Sequence, residues 1–328
     1  MTDSAHVLDR VPASPGASRL RIARLVACCG AIAACVPYLT LKIAWLAGSS
    51  VGTVGQGTAE MADTKHVVGN AVTMGMDLVA IVVALAFTCR WGQRLPAWLV
   101  LIPIWVGTGL LAPIALGVPL GIVVQGFAGG SPIGADNGLH GWVYGVVYGG
   151  FTVQGIMLVA TFVLYALARW TELFRMRTAD LRAAASRPRR TVLVTVAAVV
   201  ATGYGVIQLV WAIDGGALGG YPAAVQTATQ QTFWATQGVL SIAGVLGLLT
   251  LVHRWGRGRF LLPLAAAWIG TGVIFASGLY AATVEGAASP VRLFGLLLGA
   301  SAGLLMAAAG LRLLAEHHRT PAEPHAAA

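Results

Sequence analysis

Charge is what this sequence has least of. Only 10% of its 328 residues are Asp, Glu, Lys or Arg, while 57% are hydrophobic. Soluble domains carry about 25% charged residues, so an ordinary water-soluble domain is excluded. Histidine is missing from the middle of every long apolar run. The seven are His6, His66, His140, His253, His317, His318 and His325, which disfavours a haem held between two histidines. No HExxH or Walker lysine pattern occurs, so the sequence offers no ground for a zinc protease or a P-loop NTPase. No Asp-rich DDxxD-type run is present to hold a magnesium–diphosphate, which argues against ionisation-dependent prenyl transfer. The four cysteines, Cys28, Cys29, Cys35 and Cys89, contain no CxxC pair and read as small apolar packing residues, with no metal site.

What the chain does contain is eight apolar runs, near 25–47, 70–89, 97–124, 141–168, 191–213, 233–252, 260–283 and 292–314. Each is long enough to span a bilayer, which takes roughly 20 residues. The expected class is an all-α integral membrane protein of eight transmembrane helices. No broken helix is evident in the pattern. Of the 21 basic residues, 18 fall at alternate ends of the spans; Lys42, Lys65 and Arg292 are the exceptions. The positive-inside rule then puts both termini in the cytoplasm. The formal charge of +9 is therefore topological and implies no nucleic-acid partner. Anionic lipid head groups are an additional partner for the same arginines. Residues 1–24 are polar and Pro/Ala-rich and read as disordered, as does the tail 315–328. The N-terminal stretch is too long and uneven for a simple signal peptide, so the first span is expected to be retained.

The second half repeats the first. Tyr38-x3-Lys42-x2-Trp45 returns as Tyr204-x3-Gln208-x2-Trp211, at a constant offset of 166. CRWGQR (Cys89 to Arg94) returns as HRWGRG (His253 to Gly258), and Trp105-Val106-Gly107-Thr108-Gly109 as Trp268-Ile269-Gly270-Thr271-Gly272. These matches are collinear and point to two four-helix repeats, 25–168 and 191–314, joined by a cytoplasmic linker, 169–190. With an even number of spans each, the repeats are expected to be parallel. The linker stretch TELFRMRTADLRAAA reads as a short helix extending span four. The GTG pairs are expected to let helices approach closely.

Two charges lie inside spans. Tyr38, Lys42 and Trp45 share one helical face, as do Asn70, Met74 and Asp77, all at i, i+4, i+7. With the expected boundaries, Lys42 lies about five residues below the outer end of its span and Asp77 about seven below the end of its own. At 1.5 Å per residue a Lys42–Asp77 pair is feasible. The aligned residues of the second half are Gln208 and Ser241, so both charges vanish together. The pair reads either as a functional centre or as a structural ion pair joining the first two spans. Glu60, Asp63, Asp136, Asp214 and Glu285 gather on the same outer side. Asp63 and Asp136 read as plain loop acids. Asp214 abuts the repeated aromatic stripe, and Glu60 lies in a loop too long and Gly-rich for a simple connector. Aromatic residues cluster with them, and acids beside aromatic faces in a dry cavity suit the stabilisation of a cation.

Each half resembles a group of small four-helix bacterial membrane proteins whose aromatic first helix ends in a W-A-x-x-G-G-like turn. Here that turn is Trp211-Ala212-Ile213-Asp214-Gly215-Gly216, and only Trp45-Leu46-Ala47-Gly48 in the first half. In overall plan, acid placement and aromatic content the chain resembles the actinobacterial membrane-bound terpene cyclases of the drimentine type. That resemblance implies a bacterial cytoplasmic membrane and a prenylated or other apolar substrate. The expected activity is a cofactor-independent, acid-initiated cyclisation or isomerisation of an isoprenoid-bearing molecule. Glu60 and Asp214 are the first candidate acids, with Asp77, Lys42, Asn70 and Glu285 as further catalytic candidates. Tyr38, Trp45, Met61, Tyr204, Gln208, Trp211, Trp234 and Tyr280 are the candidate substrate-binding residues. The alternatives are a proton-coupled transporter of a small apolar compound and an assembly or sensory protein without chemistry.

Overall fold

A computed structural model describes residues 15–133, 138–178, 188–213, 226–255, 258–285 and 290–319. Eight long helices carry the fold: α1 (Pro15–Leu46), α3 (Thr64–Thr88), α4 (Ala97–Ala128), α5 (Gly141–Arg169), α6 (Pro188–Ile213), α7 (Ala228–His253), α8 (Leu261–Tyr280) and α9 (Pro290–Arg319). A short α2 (Gly57–Ala62) sits in the first long loop. All eight are long and apolar enough to cross a membrane, and among the described residues no strand is formed beyond two isolated bridges. The chain is by that measure an all-α, multi-pass membrane protein.

The expected boundaries shift at several places. α1 begins at Pro15 and α9 runs to Arg319, so residues 15–24 and 315–319, expected to be disordered, are helical. α3 begins at Thr64, six residues before the apolar run, because Asp63 caps it by accepting from the Lys65 N–H at 3.2 Å. α7 begins at Ala228, where Thr227 and Gln230 form a reciprocal capping box. The linker does not extend span four as an α-helix. α5 stops at Arg169 and one 3-10 turn follows, Thr171–Phe174. The next residues pair with the α7–α8 turn, through Thr178 N–H to Gly258 O at 3.1 Å and Phe260 N–H to Met176 O at 3.2 Å.

Polar residues within the helices satisfy themselves locally. Thr73, Thr108, Thr161, Ser241 and Thr271 each donate to the carbonyl four residues earlier, at 2.6–2.8 Å. Three prolines lie inside α4, at Pro103, Pro113 and Pro119, where neighbouring helices and local adjustment accommodate them. α8 runs on into a π-helical turn, Ala281–Glu285. That turn closes the described part of the span.

The first four long helices and the last four each enclose a core. Phe87, Ile104 and Tyr165 centre the first; Leu248, Ile274 and Met306 centre the second. The two halves meet where α4 packs on α7 and α8. There a Cβ placed on Gly109 would collide with the carbonyl oxygen of Gly272, and one placed on Gly272 would lie 3.3 Å from the Gly109 Cα. The last glycine of each GTG triplet thus permits backbone contact between the halves.

Within the halves the packing differs. α7 and α8 are in intimate contact, whereas α3 touches α4 sparingly. The side chains explain why. Gly238, Gly244 and Gly247 let α6 and α8 close on α7, and a Cβ on Gly244 would come within 2.6 Å of the Gly270 Cα. At the sequence offset of 164 the corresponding positions on α3 are Met74, Ala80 and Val83. Ala80 and Val83 put side chains where Gly244 and Gly247 admit α8, and space opens between α3 and α4.

Candidate functional site

That space belongs to a cavity of about 1490 Å³ between the two halves. Its walls come from α1, α3, α4 and α5 on one side and from α6, α7, α8 and α9 on the other. On α3 and α4 the lining includes Val72, Val79 and Ile122, all of them exposed. Most of the lining is aliphatic or aromatic, as in cavities that take small molecules. Among its described residues only Asp77 and Arg292 carry charge.

Asp77 is the buried acid of this cavity, 4% exposed near the middle of α3. Its Oδ1 accepts from Gln154 Nε2 at 3.1 Å, and its Oδ2 has no partner among the described residues. Gln154 Oε1, Gln208 Oε1 and Trp211 Nε1, also on lining residues, are buried and unpartnered too. A buried polar group without a hydrogen bond is costly, so groups of this kind mark where a cavity's contents bind. Gln208 is anchored through its amide nitrogen, which donates to Gln237 Oε1 at 2.6 Å and to the Tyr204 hydroxyl at 3.1 Å.

Lys42 and Asp77 are not in direct contact, contrary to the pair the sequence makes feasible. The early start of α3 is the reason. It places Asp77 thirteen residues from that end of the helix, about 20 Å, whereas Lys42 lies only four residues from the end of α1, about 6 Å. Lys42 is instead level with Asn70, whose Oδ1 accepts its ammonium at 2.5 Å. The ammonium also lies 4.6 Å from the Tyr38 ring centroid and 5.7 Å from that of Trp45. Carbonyl oxygen and two aromatic faces take the place of a counter-ion.

The cavity gathers some of the candidate residues and not others. Tyr38, Asp77, Tyr204, Gln208, Trp211, Trp234 and Tyr280 line it. Lys42, Asn70, Trp45, Met61 and Glu60 do not. Trp45 is turned into a small cluster with Leu41 and Val143, against which Met61 packs, and it donates to Val51 O at 2.8 Å. Glu60 is exposed on α2, which is folded against the α4–α5 connection through Val54 N–H to Gly138 O at 2.9 Å. Positive φ at Gly48, Gly52 and Gly55 lets the first loop turn back in this way. The glycine content of that loop is therefore spent on its own path. Asp214 and Asp136 lie outside the described residues, as does the side chain of Glu285.

Three lining elements are not among the candidates named from the sequence. Gln154 was legible as a lone amide in the middle of a span, and Arg292 as the arginine that breaks the alternating pattern. The third is a strip on α5, Gly141, Gly145 and Gly149, with Tyr144 and Tyr148 beside it. A Cβ on Gly145 or Gly149 would meet nothing within 4 Å. The two tyrosine rings are parallel within 9°, with centroids 6.4 Å apart. Among the described residues no three His, Cys, Asp or Glu side chains come together as a metal site would need. All four cysteines are free thiols, with Cys28 and Cys35 packed in the interior.

Compared with family models, curated proteins and solved structures, the chain matches none of them.

Proposed function

We propose that the chain is a membrane-embedded, acid-initiated cyclase or isomerase of an isoprenoid-bearing substrate, with Asp77 as the acid. The observation that carries this reading is a single buried carboxyl, one oxygen held by Gln154 and the other unpartnered, on the wall of an apolar cavity rich in aromatic rings. Protonated Asp77 delivers its proton to a terminal alkene carbon. The alkene electrons form the new C–H bond and leave a tertiary carbocation. A second alkene attacks it, closing a ring and moving the positive charge along the chain. The faces of Tyr38, Tyr148, Tyr204 and Trp234 stabilise that charge. Loss of a proton from the last cation to the Asp77 carboxylate restores the alkene and the acid. The product has the formula of the substrate. In this reading the chain lies in a bacterial cytoplasmic membrane, as two parallel four-helix repeats with both termini inside.

A second reading is a proton-coupled transporter of a small apolar compound. It is favoured by the location of the cavity between the two halves of the chain, where repeat-built transporters bind their cargo. One experiment separates the two. Membranes containing the chain are incubated with prenylated probes, and products are sought with unchanged mass and altered retention. Such products, lost in Asp77→Asn while the protein still inserts, support the cyclase. Vesicle uptake of the intact probe with no isomerised product supports the transporter.

A further inference from the structure

The two charged residues of the cavity lie at different depths. Asp77 and its donor Gln154 are each thirteen residues from the ends of α3 and α5 at which Thr64 and Gly141 stand. Arg292 is two residues into α9, and Trp211 two residues from the end of α6, at that same arginine-poor end. At 1.5 Å per residue the two levels are separated by about 16 Å along the bundle. Between them runs the α5 glycine strip, and beyond Asp77 the lining is apolar: Val79, Ala80, Val83, Val106, Leu110 and Leu158.

Arg292 is 8% exposed, faces the cavity and has its guanidinium 5.5 Å from the Trp211 ring centroid. The first turn of α7 brings Thr229 and Gln230 to the same end of the cavity wall. The cavity is therefore differentiated along its length, with a cation at one end, a carboxyl beside the Gln154 amide further in, and hydrocarbon beyond it. We infer that the ligand is a linear amphiphile with an oxyanion head, seated with its head at Arg292 and its apolar tail along the glycine strip toward Asp77. The guanidinium fork matches such a head in a way an ammonium does not. The same arrangement sets the polarity of the proposed reaction: protonation starts at the end of the chain remote from the head. This assignment rests on the reading of the cavity as a substrate chamber, but it requires no chemistry.

The test is equilibrium binding of farnesyl phosphate and farnesol to the full-length protein in nanodiscs, read by tryptophan fluorescence and by native mass spectrometry. Wild-type protein is expected to bind the phosphate at least tenfold more tightly than the alcohol. Arg292→Gln is expected to abolish that preference while leaving farnesol affinity within twofold, and Arg292→Lys to retain part of it. Gly145→Leu, which places side-chain atoms in the strip, is expected to weaken both probes. Equal wild-type affinities, or an unchanged preference in Arg292→Gln, overturns the assignment. So does inorganic phosphate competing with farnesyl phosphate while Gly145→Leu binds normally, since the head would then be held without the chain. The wild-type comparison stands even where a variant fails to fold. A clear head preference with no turnover of any probe leaves this assignment intact and counts against the cyclase instead.

Discussion

Trp105 donates its indole N–H to the Thr271 hydroxyl at 3.2 Å, across the boundary between the two halves. The reverse bond is not made. Trp268 is the residue that matches Trp105 in the second half, and its Nε1 is buried without a partner. Both indoles do stack on a phenylalanine of the opposite half: Trp105 on Phe275 at 4.9 Å and Trp268 on Phe162 at 5.6 Å. The repeated motif therefore supplies the same two ring contacts but only one hydrogen bond. Trp105→Phe is expected to cost about 1 kcal/mol more than Trp268→Phe. Thermal melts of the two variants in the same detergent check this, and equal losses would contradict it.

Glycines of the same apparent kind should respond in opposite ways. Gly109→Ala drives a methyl group into the Gly272 backbone and is expected to destabilise by about 1–3 kcal/mol. Gly145→Ala meets open space within a helix and is expected to be neutral or stabilising by up to about 1 kcal/mol. Melting temperatures of both variants decide it.

Lys42 and Asn70 should behave as a coupled pair. Asn70→Leu leaves a buried ammonium with aromatic faces alone and is expected to cost about 3 kcal/mol. The double variant Lys42→Met, Asn70→Leu is expected to recover most of that loss, because neither polar partner is left stranded. A double-mutant cycle on unfolding in mixed micelles measures the coupling, and simple additivity would argue against it.

Asp77→Ser installs the residue that the second half carries at the aligned position. It is expected to retain the fold and lose at least about a hundredfold in turnover, the usual contribution of a general acid. Gln154→Leu removes the donor to Asp77 and is expected to lower both activity and stability, the latter by about 2 kcal/mol. Product analysis on isolated membranes, paired with thermal melts, tests both. Full turnover in Asp77→Ser would remove Asp77 from the reaction.

Much of the site was legible one residue at a time. Asp77 announces itself because a carboxyl within an apolar run is rare and costly. The stripe of Tyr204, Gln208 and Trp211 follows from helical spacing alone. Partnership was not legible in the same way. Whether Lys42 meets Asp77 or Asn70 depends on where α3 begins, and a cap formed by Asp63 outside the apolar run sets that start. Glu60 looked like a cavity acid because its loop is long and rich in glycine. That loop instead folds onto the α4–α5 connection and leaves Glu60 exposed.

By itself the sequence determined that the chain is a set of eight membrane-length helices, because hydrocarbon demands long apolar runs whose backbone groups pair internally. It also determined which helix faces carry polar atoms. Only the tertiary structure decided that the cavity lies between the halves, with α3 standing off α4 while α7 closes on α8. That outcome depends on the volumes of Ala80 and Val83 against Gly244 and Gly247, summed over surfaces that meet only after the helices pack. Helix formation is a local property of a chain in lipid, whereas the space left between helices is set by side chains far apart in sequence.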